Sequence, residues 1–283
     1  MPKLYFQSDW LPLPTGLPEG LEIFAVGDVH GYCSHLEKML EVFSEVRGPN
    51  NHSILISLGD LIDRGPNSIG ALDLMRRTKD FGFTETFTLM GNHEQLMRLS
   101  LTGKRMTEFT RYIPGNKYTQ AKEIWSWNGS DTTLSELDLD PLDMEYKSIK
   151  DFAQTLSVAL GSERVAFLDS LLSHKMIGSL LFVHAGINPK LSVEEALAEP
   201  WDCLCEDHWS WIRGEFLFSP FKRSGLIPVH GHTYPGMTVP GFDPSLMYFH
   251  DGKINLDGGS YRTGKIAGAQ FAKEKYRIFI VSE

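Results

Sequence analysis

Cysteine is scarce in this chain of 283 residues, which contains only Cys33, Cys203 and Cys205. Three cysteines are few and odd in number, which argues against a fold held together by disulfide bonds. No apolar run reaches the length of about 20 residues that a membrane-spanning helix needs. The N-terminus has no basic stretch followed by an apolar segment, so a signal peptide is not expected. We therefore expect a cytoplasmic protein without a membrane partner.

Runs of lysine and arginine are also absent, and the formal net charge is -9 with a pI near 5.6. A nucleic-acid-binding surface needs clustered positive charge, so nucleic acid is not expected as a partner. The acidic balance could instead reflect a cluster of carboxylates that binds cations. The hydrophobic share of 42% and the charged share of 22% are typical of a globular protein with a substantial core.

Three short apolar runs, at residues 21–28, 52–60 and 84–94, predict buried β-strands, because each is bounded by glycine. Apolar residues at helical spacing predict helices at 35–46 and 68–82, and a third helix begins after the last of these strands. This β-α-β-α-β order predicts parallel strands joined by right-handed crossovers.

The rest of the chain is less regular. Residues from about 95 to 180 are mostly helical in pattern, and apolar runs at 179–186, 225–233 and 276–283 predict later strands. We see no repeat, low-complexity segment or linker, which favours one domain over residues 1–283 with a helical insertion over the site.

Polar side chains recur where the strands end. Asp28, Asp60 and Asn92 follow the first three strands at equal intervals, each about one strand–helix unit long. Because the carboxyl ends of neighbouring parallel strands meet at one edge of a sheet, we expect these side chains to lie together. His184 and His232 follow two of the later strands.

These residue types suit a metal centre. Carboxylate, imidazole and amide ligands fit borderline metals such as Mn, Fe and Zn. Two such cations can activate a water and hold a phosphoryl group for in-line displacement. Each residue taken alone is more often a helix cap, a turn residue or a buried, hydrogen-bonded histidine. Their ordered recurrence after strands makes coincidence an implausible explanation. The six candidates are Asp28, His30, Asp60, Asn92, His184 and His232.

Five motifs carry a family resemblance from about residue 21 to 270: GDVHG, GDLIDRGP, GNHE, VHAG and HGHT. They resemble the signatures of the PPP-type metallophosphatases within the calcineurin-like phosphoesterase superfamily. Glu94 of GNHE and Arg64 of DRG point to the members that act on phosphomonoesters. The segments WSWNGSDTTLSEL, HWSWIRGEF and INLDGGSYRTGKIAGAQ are similar to the small bacterial and phage serine/threonine protein phosphatases and symmetrical diadenosine tetraphosphatases. Ser130 stands where these members usually have glycine.

The resemblance implies an α/β fold: a calcineurin-like metallophosphoesterase sandwich of two mixed β-sheets flanked by helices. Residues from about 95 to 180 would form a mostly helical lid. It also implies two divalent metal ions, Mn by expectation, with Fe or Zn as alternatives. One metal would be held by Asp28, His30 and Asp60. The other would be held by Asp60, Asn92, His184 and His232, while His230 stays unassigned.

The catalytic residues implied by the resemblance are two arginines, a histidine and an aspartate. Arg64 and Arg213 would hold the phosphoryl oxygens, since a guanidinium matches their geometry. His93 would protonate the leaving oxygen. Asp63 would orient the His93 ring and favour its protonated form. His93 as a turn residue or an additional metal ligand is the alternative interpretation.

The expected enzyme hydrolyses phosphomonoesters by direct attack of a metal-bridging hydroxide. Its expected substrates are phosphoserine or phosphothreonine proteins, with phosphotyrosine as a further one. The alternative is a dinucleoside polyphosphate hydrolase acting on diadenosine tetraphosphate, because the core motifs bind only the phosphoryl group. A non-catalytic module is disfavoured because no ligand or general acid is missing.

Two smaller hypotheses concern residues outside the motifs. Cys203, Cys205 and His208 could bind zinc, although their spacing fits no common zinc finger. Four tryptophans could stack on a nucleobase, although packing in the core or lid is the more frequent role. These are Trp125, Trp127, Trp209 and Trp211.

Overall fold

The computed structural model of the chain describes residues 3–104, 120–223, 225–237 and 251–282. The strands are β1 Lys3–Gln7, β2 Leu11–Pro12, β3 Leu21–Val26, β4 His52–Ser57, β5 Glu85–Thr88, β6 His174–Ile177, β7 Leu180–Val183, β8 Ile227–His230, β9 Ile254–Asn255, β10 Lys265–Ala272 and β11 Lys275–Ser282.

The helices are α1 Cys33–Val46, α2 Ser68–Arg76, α3 Asn92–Leu101, α4 Ala121–Trp127, α5 Asp131–Glu136, α6 Pro141–Tyr146, α7 Ile149–Asp169, α8 Val193–Leu197, α9 Gly214–Phe218 and α10 Ser260–Thr263. Short 3₁₀ helices lie at Thr78–Phe81 and Pro235–Met237. None of the helices in the described ranges combines the length and the hydrophobicity needed to span a membrane.

Within the described residues the strands form two mixed sheets. The larger has the order β1-β11-β10-β3-β4-β5, with β2 paired to β11, and the smaller has the order β6-β7-β8-β9. The neighbours β3, β4 and β5 are parallel, as predicted from the alternation of strands and helices. In the smaller sheet β7, β8 and β9 are parallel and β6 is antiparallel. The predicted α/β architecture is confirmed.

The larger sheet is buried on both faces. On β3, Ile23 packs into the core between the two sheets, whereas Phe24 packs against the helices on the outer face. Such burial explains why this strand is an unbroken apolar run, since neither face meets water. The inter-sheet core includes Phe182 from β7 and Phe271 from β10, whose ring centroids are 5.8 Å apart.

One predicted strand is shorter than the sequence indicates. The run at 84–94 forms a strand only over Glu85–Thr88, and α3 begins at Asn92. The helix begins there because the side chain of Glu94 accepts the backbone N–H of Gly91, the residue before the helix, at 3.0 Å. Asn92 and His93 are therefore in the first turn of a helix instead of at the end of a strand.

The described part of the region from 95 to 180 is mostly helical, as predicted, and comprises α3 to α7 followed by β6. Residues 105–119 of this region lie outside the described residues. Helix α7 is interrupted at Gly161, where the backbone has φ 75° and ψ 158°. Within the region α3 packs on both α4 and α7, and α5 and α7 also contact α2.

Candidate metal and catalytic centre

The predicted metal ligands follow strands of both sheets. Asp28 and His30 come after β3, Asp60 after β4, His184 after β7 and His232 after β8. Asn92 is the first residue of α3. Each of these six residues is at most 6% exposed. Burying several ionisable groups costs free energy unless they are paired or bind a cation, so the clustering indicates a functional site.

Asp60 lies between two groups of imidazoles. Its Oδ2 is 3.5 Å from His30 Nε2, and its Oδ1 is 3.5 Å from His184 Nε2. Side-chain atoms of His30, Asp60 and His93 lie within 4.8 Å of one another, and so do those of Asp60, His184 and His232. Asp60 is therefore a member of both groups.

The orientation of the histidine rings suits metal binding. Nδ1 of His30 lies 2.9 Å from the carbonyl oxygen of Ile62, and Nδ1 of His184 lies 2.8 Å from that of Leu58. A carbonyl oxygen can only accept a hydrogen bond, so both Nδ1 atoms carry a proton. Nε2, which faces Asp60 in both rings, is then the nitrogen through which each ring would bind a metal ion, the arrangement typical of metal-binding histidines.

Asn92 and Asp28 complete the predicted set in different ways. Asn92 Oδ1 lies 3.2 Å from His184 Nε2, at the second group. The carboxylate of Asp28 is outside both groups and accepts the backbone N–H of His232, at 3.1 Å and 3.0 Å for its two oxygens. The contact depends on Gly231, where an added Cβ would lie 2.1 Å from Asp28 Oδ1.

The electrostatics of the cluster favour bound positive charge. Burial alone would raise the pKa of Asp60, but the imidazole of His184 and the other histidines hold it well below its usual value. Burial would lower the pKa of His184, but Asp60 raises it to about 9. Burial, and then the charge of Asp257, raise the pKa of Asp28 well above its usual value. A cation would relieve this repulsion between buried carboxylates.

Backbone strain is concentrated at the same residues. His30, Asp60, Asp63, Arg64 and His232 all have positive φ, between 45° and 73°. Residues other than glycine rarely adopt this conformation, which persists where the surrounding structure enforces it. Backbone strain therefore coincides with five of the ten residues predicted to form the site.

Asp63 and His93 form a buried pair at the edge of the first group. His93 Nδ1 is 2.6 Å from Asp63 Oδ2. Trp125 Nε1 donates to the same oxygen at 2.7 Å, and Thr133 Oγ1 donates to the other at 2.6 Å. His93 Nε2 is buried and has no hydrogen-bond partner among the described residues. The pair thus fixes the ring and leaves Nε2 available to a ligand.

The protonation of this pair differs from the sequence-based expectation. Burial lowers the pKa of His93 to about 3 and raises that of Asp63 well above its usual value. The expectation that Asp63 favours a protonated ring does not hold for the protein alone, because complete burial opposes charge on either partner. The 2.6 Å separation still requires one proton between Nδ1 and Oδ2.

The two predicted arginines lie beside the groups. Arg64 donates from Nη1 to His30 Nε2 at 3.1 Å and from Nε to the carbonyl oxygen of Asn128 at 3.2 Å. Arg213 precedes α9 and donates from Nη2 to the carbonyl oxygen of His232 at 3.2 Å. Both guanidinium groups are therefore held next to proposed metal ligands.

Glu94 has a structural role that its motif did not reveal. Its fully buried carboxylate accepts the backbone N–H groups of Asp60 and Leu61 at 2.8 Å each, in addition to that of Gly91. It thereby joins the loop after β4 to the start of α3. Only the fold shows this bridge, because the linked residues are more than thirty positions apart in the sequence.

Asp257 and Tyr261 were missed by the sequence analysis. Asp257 follows β9, is 5% exposed, and has a pKa raised to about 6 by burial. An aspartate two residues after the end of a strand is the signal that could have indicated it, since Asp28 has the same position relative to β3. Tyr261 packs edge-on against His30, with ring centroids 5.3 Å apart.

The structure gives no support to a zinc site at the cysteine pair. The sulfur atoms of Cys203 and Cys205 are 3.9 Å apart, but both ring nitrogens of His208 are engaged, by Ser210 Oγ at 2.7 Å and the carbonyl oxygen of Pro200 at 3.1 Å. Neither metal-ligand group found among the described residues includes them.

His230 and the four tryptophans considered for base stacking are mostly in contact with other parts of the protein. His230 is 2% exposed and packs edge-on against Phe216. Trp125 and Trp209 are buried, and the indole of Trp211 donates to Gln95. Trp127, by contrast, is 78% exposed.

Comparison with known proteins identifies a family. The model of the calcineurin-like phosphoesterase family matches residues 21–256. Serine/threonine-protein phosphatase 1 of Salmonella typhimurium is 42% identical over 74 residues, which cover 26% of this chain and 30% of that relative. The asymmetrical bis(5'-nucleosyl)-tetraphosphatase PrpE of Oceanobacillus iheyensis is 23% identical over 271 residues, 90% of this chain and 91% of the relative.

A solved structure shares the fold. The cold-active protein-tyrosine phosphatase of a psychrophilic Shewanella species has a TM-score of 0.53 and 18% identity, and the match covers 89% of this chain and 77% of that one. The chain thus spans about a third of the first curated relative, nine tenths of the second, and three quarters of this structure.

Replacing Glu94 by Gln should destabilise the centre. The amide nitrogen cannot accept a hydrogen bond, so at least one buried N–H of Gly91, Asp60 or Leu61 loses its partner, at a cost of about 1–3 kcal/mol. Urea unfolding with a chelator present measures this loss, and elemental analysis should show a lower metal content.

Glu136→Gln is the matched control. That carboxylate accepts the N–H groups of Ser68 and Ile69, at 2.8 Å each, at the start of α2. The control should lose comparable stability and keep its metal content. Parent-like stability and metal content in Glu94→Gln would contradict the role given to Glu94.

Proposed function

Because this chain belongs to the calcineurin-like phosphoesterase family, we propose that it is a two-metal phosphatase that hydrolyses phosphomonoesters, with phosphoserine and phosphothreonine proteins as substrates. The observation that carries the proposal is the position of Asp60, shared by two buried groups of metal-ligating side chains. The similarity to a serine/threonine-protein phosphatase supports the substrate class. A phosphotyrosine substrate is a further possibility of the same chemistry.

The buried donors fit two divalent cations, and Mn is proposed, with Fe or Zn as alternatives. Asp28, His30 and Asp60 would hold one ion. Asp60, Asn92, His184 and His232 would hold the other. Bound cations would polarise the phosphoryl group and activate water for in-line attack.

Four further residues have roles in this proposal: three act on the substrate, and Asp63 holds one of these three in place. Arg64 and Arg213 bind the phosphoryl oxygens, because their guanidinium groups lie beside the ligand groups. His93 gives a proton from Nε2 to the leaving oxygen, and Asp63 holds the ring through Nδ1.

Substitution of Asp60 tests the metal assignment. Asp60→Asn removes the carboxylate shared by both groups, so the metal content should fall from about two ions per chain to less than one. Elemental analysis of protein reconstituted with Mn measures this content, and circular dichroism checks that the variant is folded. A folded variant that retains two ions would contradict the assignment.

Substitution of His93 tests the reaction. His93→Asn should slow hydrolysis of a phosphoserine peptide by about 10²–10⁴-fold, because an alkoxide needs a proton to leave. It should slow hydrolysis of p-nitrophenyl phosphate by less than about tenfold, since nitrophenolate leaves without a proton.

Metal content provides the control for this variant. It should stay at the parent level if His93 is the acid, and it should fall if His93 is an additional ligand of the first group. Equal losses on the two substrates would also exclude the general-acid role.

A hydrolase of dinucleoside polyphosphates is the second candidate. A cavity of about 320 Å³ lies in the helical insertion, which we propose forms a lid within a single domain. Its lining includes the aromatic residues Trp127, Tyr146 and Phe152. Aromatic rings can stack on a nucleobase. The relation to a bis(5'-nucleosyl)-tetraphosphatase over nine tenths of the chain favours this candidate as well.

Trp127→Ala separates the two candidates. If a base stacks in the cavity, the KM for diadenosine tetraphosphate should rise about tenfold or more, while turnover of a phosphopeptide stays unchanged. Trp10→Ala is the control, because Trp10 is a partly exposed tryptophan that contacts Lys275 and Arg277. Unchanged kinetics on diadenosine tetraphosphate would remove the cavity as support for the second candidate.

A further inference from the structure

Tyr261 lies against two residues of the proposed centre. It belongs to α10, in the segment between β9 and β10. The guanidinium carbon of Arg64 is 4.2 Å from the centroid of its ring. The ring of Tyr261 also contacts the ring of His30, and the two ring planes are nearly perpendicular, at 88°. No hydrogen bond from its hydroxyl to the centre is found among the described residues, where the hydroxyl accepts from Arg262.

The stem of Arg64 is confined on its other side by Gly129. A Cβ added to Gly129 would lie 3.0 Å from Arg64 Cγ, and Gly129 has a φ of 95°, which favours glycine. The backbone N–H of Arg64 donates to the Gly129 carbonyl at 3.1 Å. Arg64 therefore runs between the backbone of the α4–α5 turn and the ring of Tyr261.

The guanidinium of Arg64 is hydrogen-bonded to a nitrogen atom that would bind a metal ion. Its Nη1 donates to His30 Nε2 at 3.1 Å. An imidazole nitrogen has one lone pair, and the proposed function gives this lone pair to a metal. The hydrogen bond and the metal bond exclude each other. When the metal is bound, the guanidinium of Arg64 keeps two contacts among the described residues, with the carbonyl oxygen of Asn128 and with the ring of Tyr261.

We propose that Tyr261 is a positioning residue for Arg64. Once His30 binds a metal ion, the ring of Tyr261 holds the guanidinium of Arg64 in the position where it binds the phosphoryl group. The assignment rests on the proposed function of the centre. The ring face supplies a cation–π contact, which is stronger where water is excluded. The contact also reduces the rotational freedom that a long side chain would lose on binding substrate. The ring is the part required, and the hydroxyl is dispensable.

Two variants separate the ring from the hydroxyl. Tyr261→Phe should keep kcat/KM for p-nitrophenyl phosphate within about twofold of the parent, whereas Tyr261→Leu should lower it on the order of tenfold. The affinity for inorganic phosphate, measured by calorimetry on Mn-loaded protein, should fall in parallel for Tyr261→Leu. Metal content should be unchanged in both variants.

A double-mutant cycle shows whether Tyr261 acts through Arg64. Arg64→Ala removes the guanidinium that lies over the ring. Adding Tyr261→Leu to Arg64→Ala should then change kcat/KM and phosphate affinity by less than about twofold. Trp10→Leu is the matched control, because it removes a ring from Arg277, 4.6 Å away, outside the centre; it should leave both quantities at parent values.

The outcomes distinguish this inference from the proposed function. Equal damage by Tyr261→Phe and Tyr261→Leu, loss of metal, or an undiminished effect of Tyr261→Leu in the Arg64→Ala background would overturn the positioning role. A parent protein that does not hydrolyse p-nitrophenyl phosphate would overturn the proposed function. Phosphate affinity of the same variants would still decide the role of Tyr261.

Discussion

The loop after β4 is fixed by hydrogen bonds on both sides, and the arrangement of the centre depends on it. The carbonyl oxygen of Asp60 accepts the N–H groups of Val29 and His30, at 2.9 Å and 2.8 Å, from the loop after β3. The carboxylate of Glu94 accepts the N–H of Asp60 from the side of α3. Three loops are thereby joined into one unit. This unit can maintain positive φ at Asp60 and His30, which isolated loops would relax.

The fold was largely predictable from the sequence, because both signals behind it are local. Short apolar runs and helical spacing gave the parallel strands β3, β4 and β5, and the matched motifs gave the family, which is confirmed over residues 21–256. Details set by tertiary contacts were not predictable. The strand at 84–94 ends early because Glu94 caps a helix. The carboxylate of Asp28 turns to a backbone N–H 204 positions away.

The burial of the catalytic residues could not be predicted from the sequence motifs. The motifs place a carboxylate near His93, and from that alone a raised pKa for the ring is the natural expectation. In the folded protein both partners are fully buried, and this desolvation is the largest influence on each: it lowers the pKa of His93 and raises the pKa of Asp63. The same limitation explains why Tyr261 was missed: its closeness to His30 and Arg64 follows from the packing of α10 against loops from the first third of the chain.

Helices α4 and α5 are distant in sequence from the loop after β4, but they are hydrogen-bonded to it. Trp125 and Thr133 donate to Asp63, and the carbonyl oxygens of Asn128 and Gly129 accept from Arg64. A chimaera that exchanged all of α4 to α7 for the corresponding helices of a relative would therefore remove hydrogen bonds from Asp63 and Arg64. An exchange confined to residues after 137 would keep these hydrogen bonds to Asp63 and Arg64.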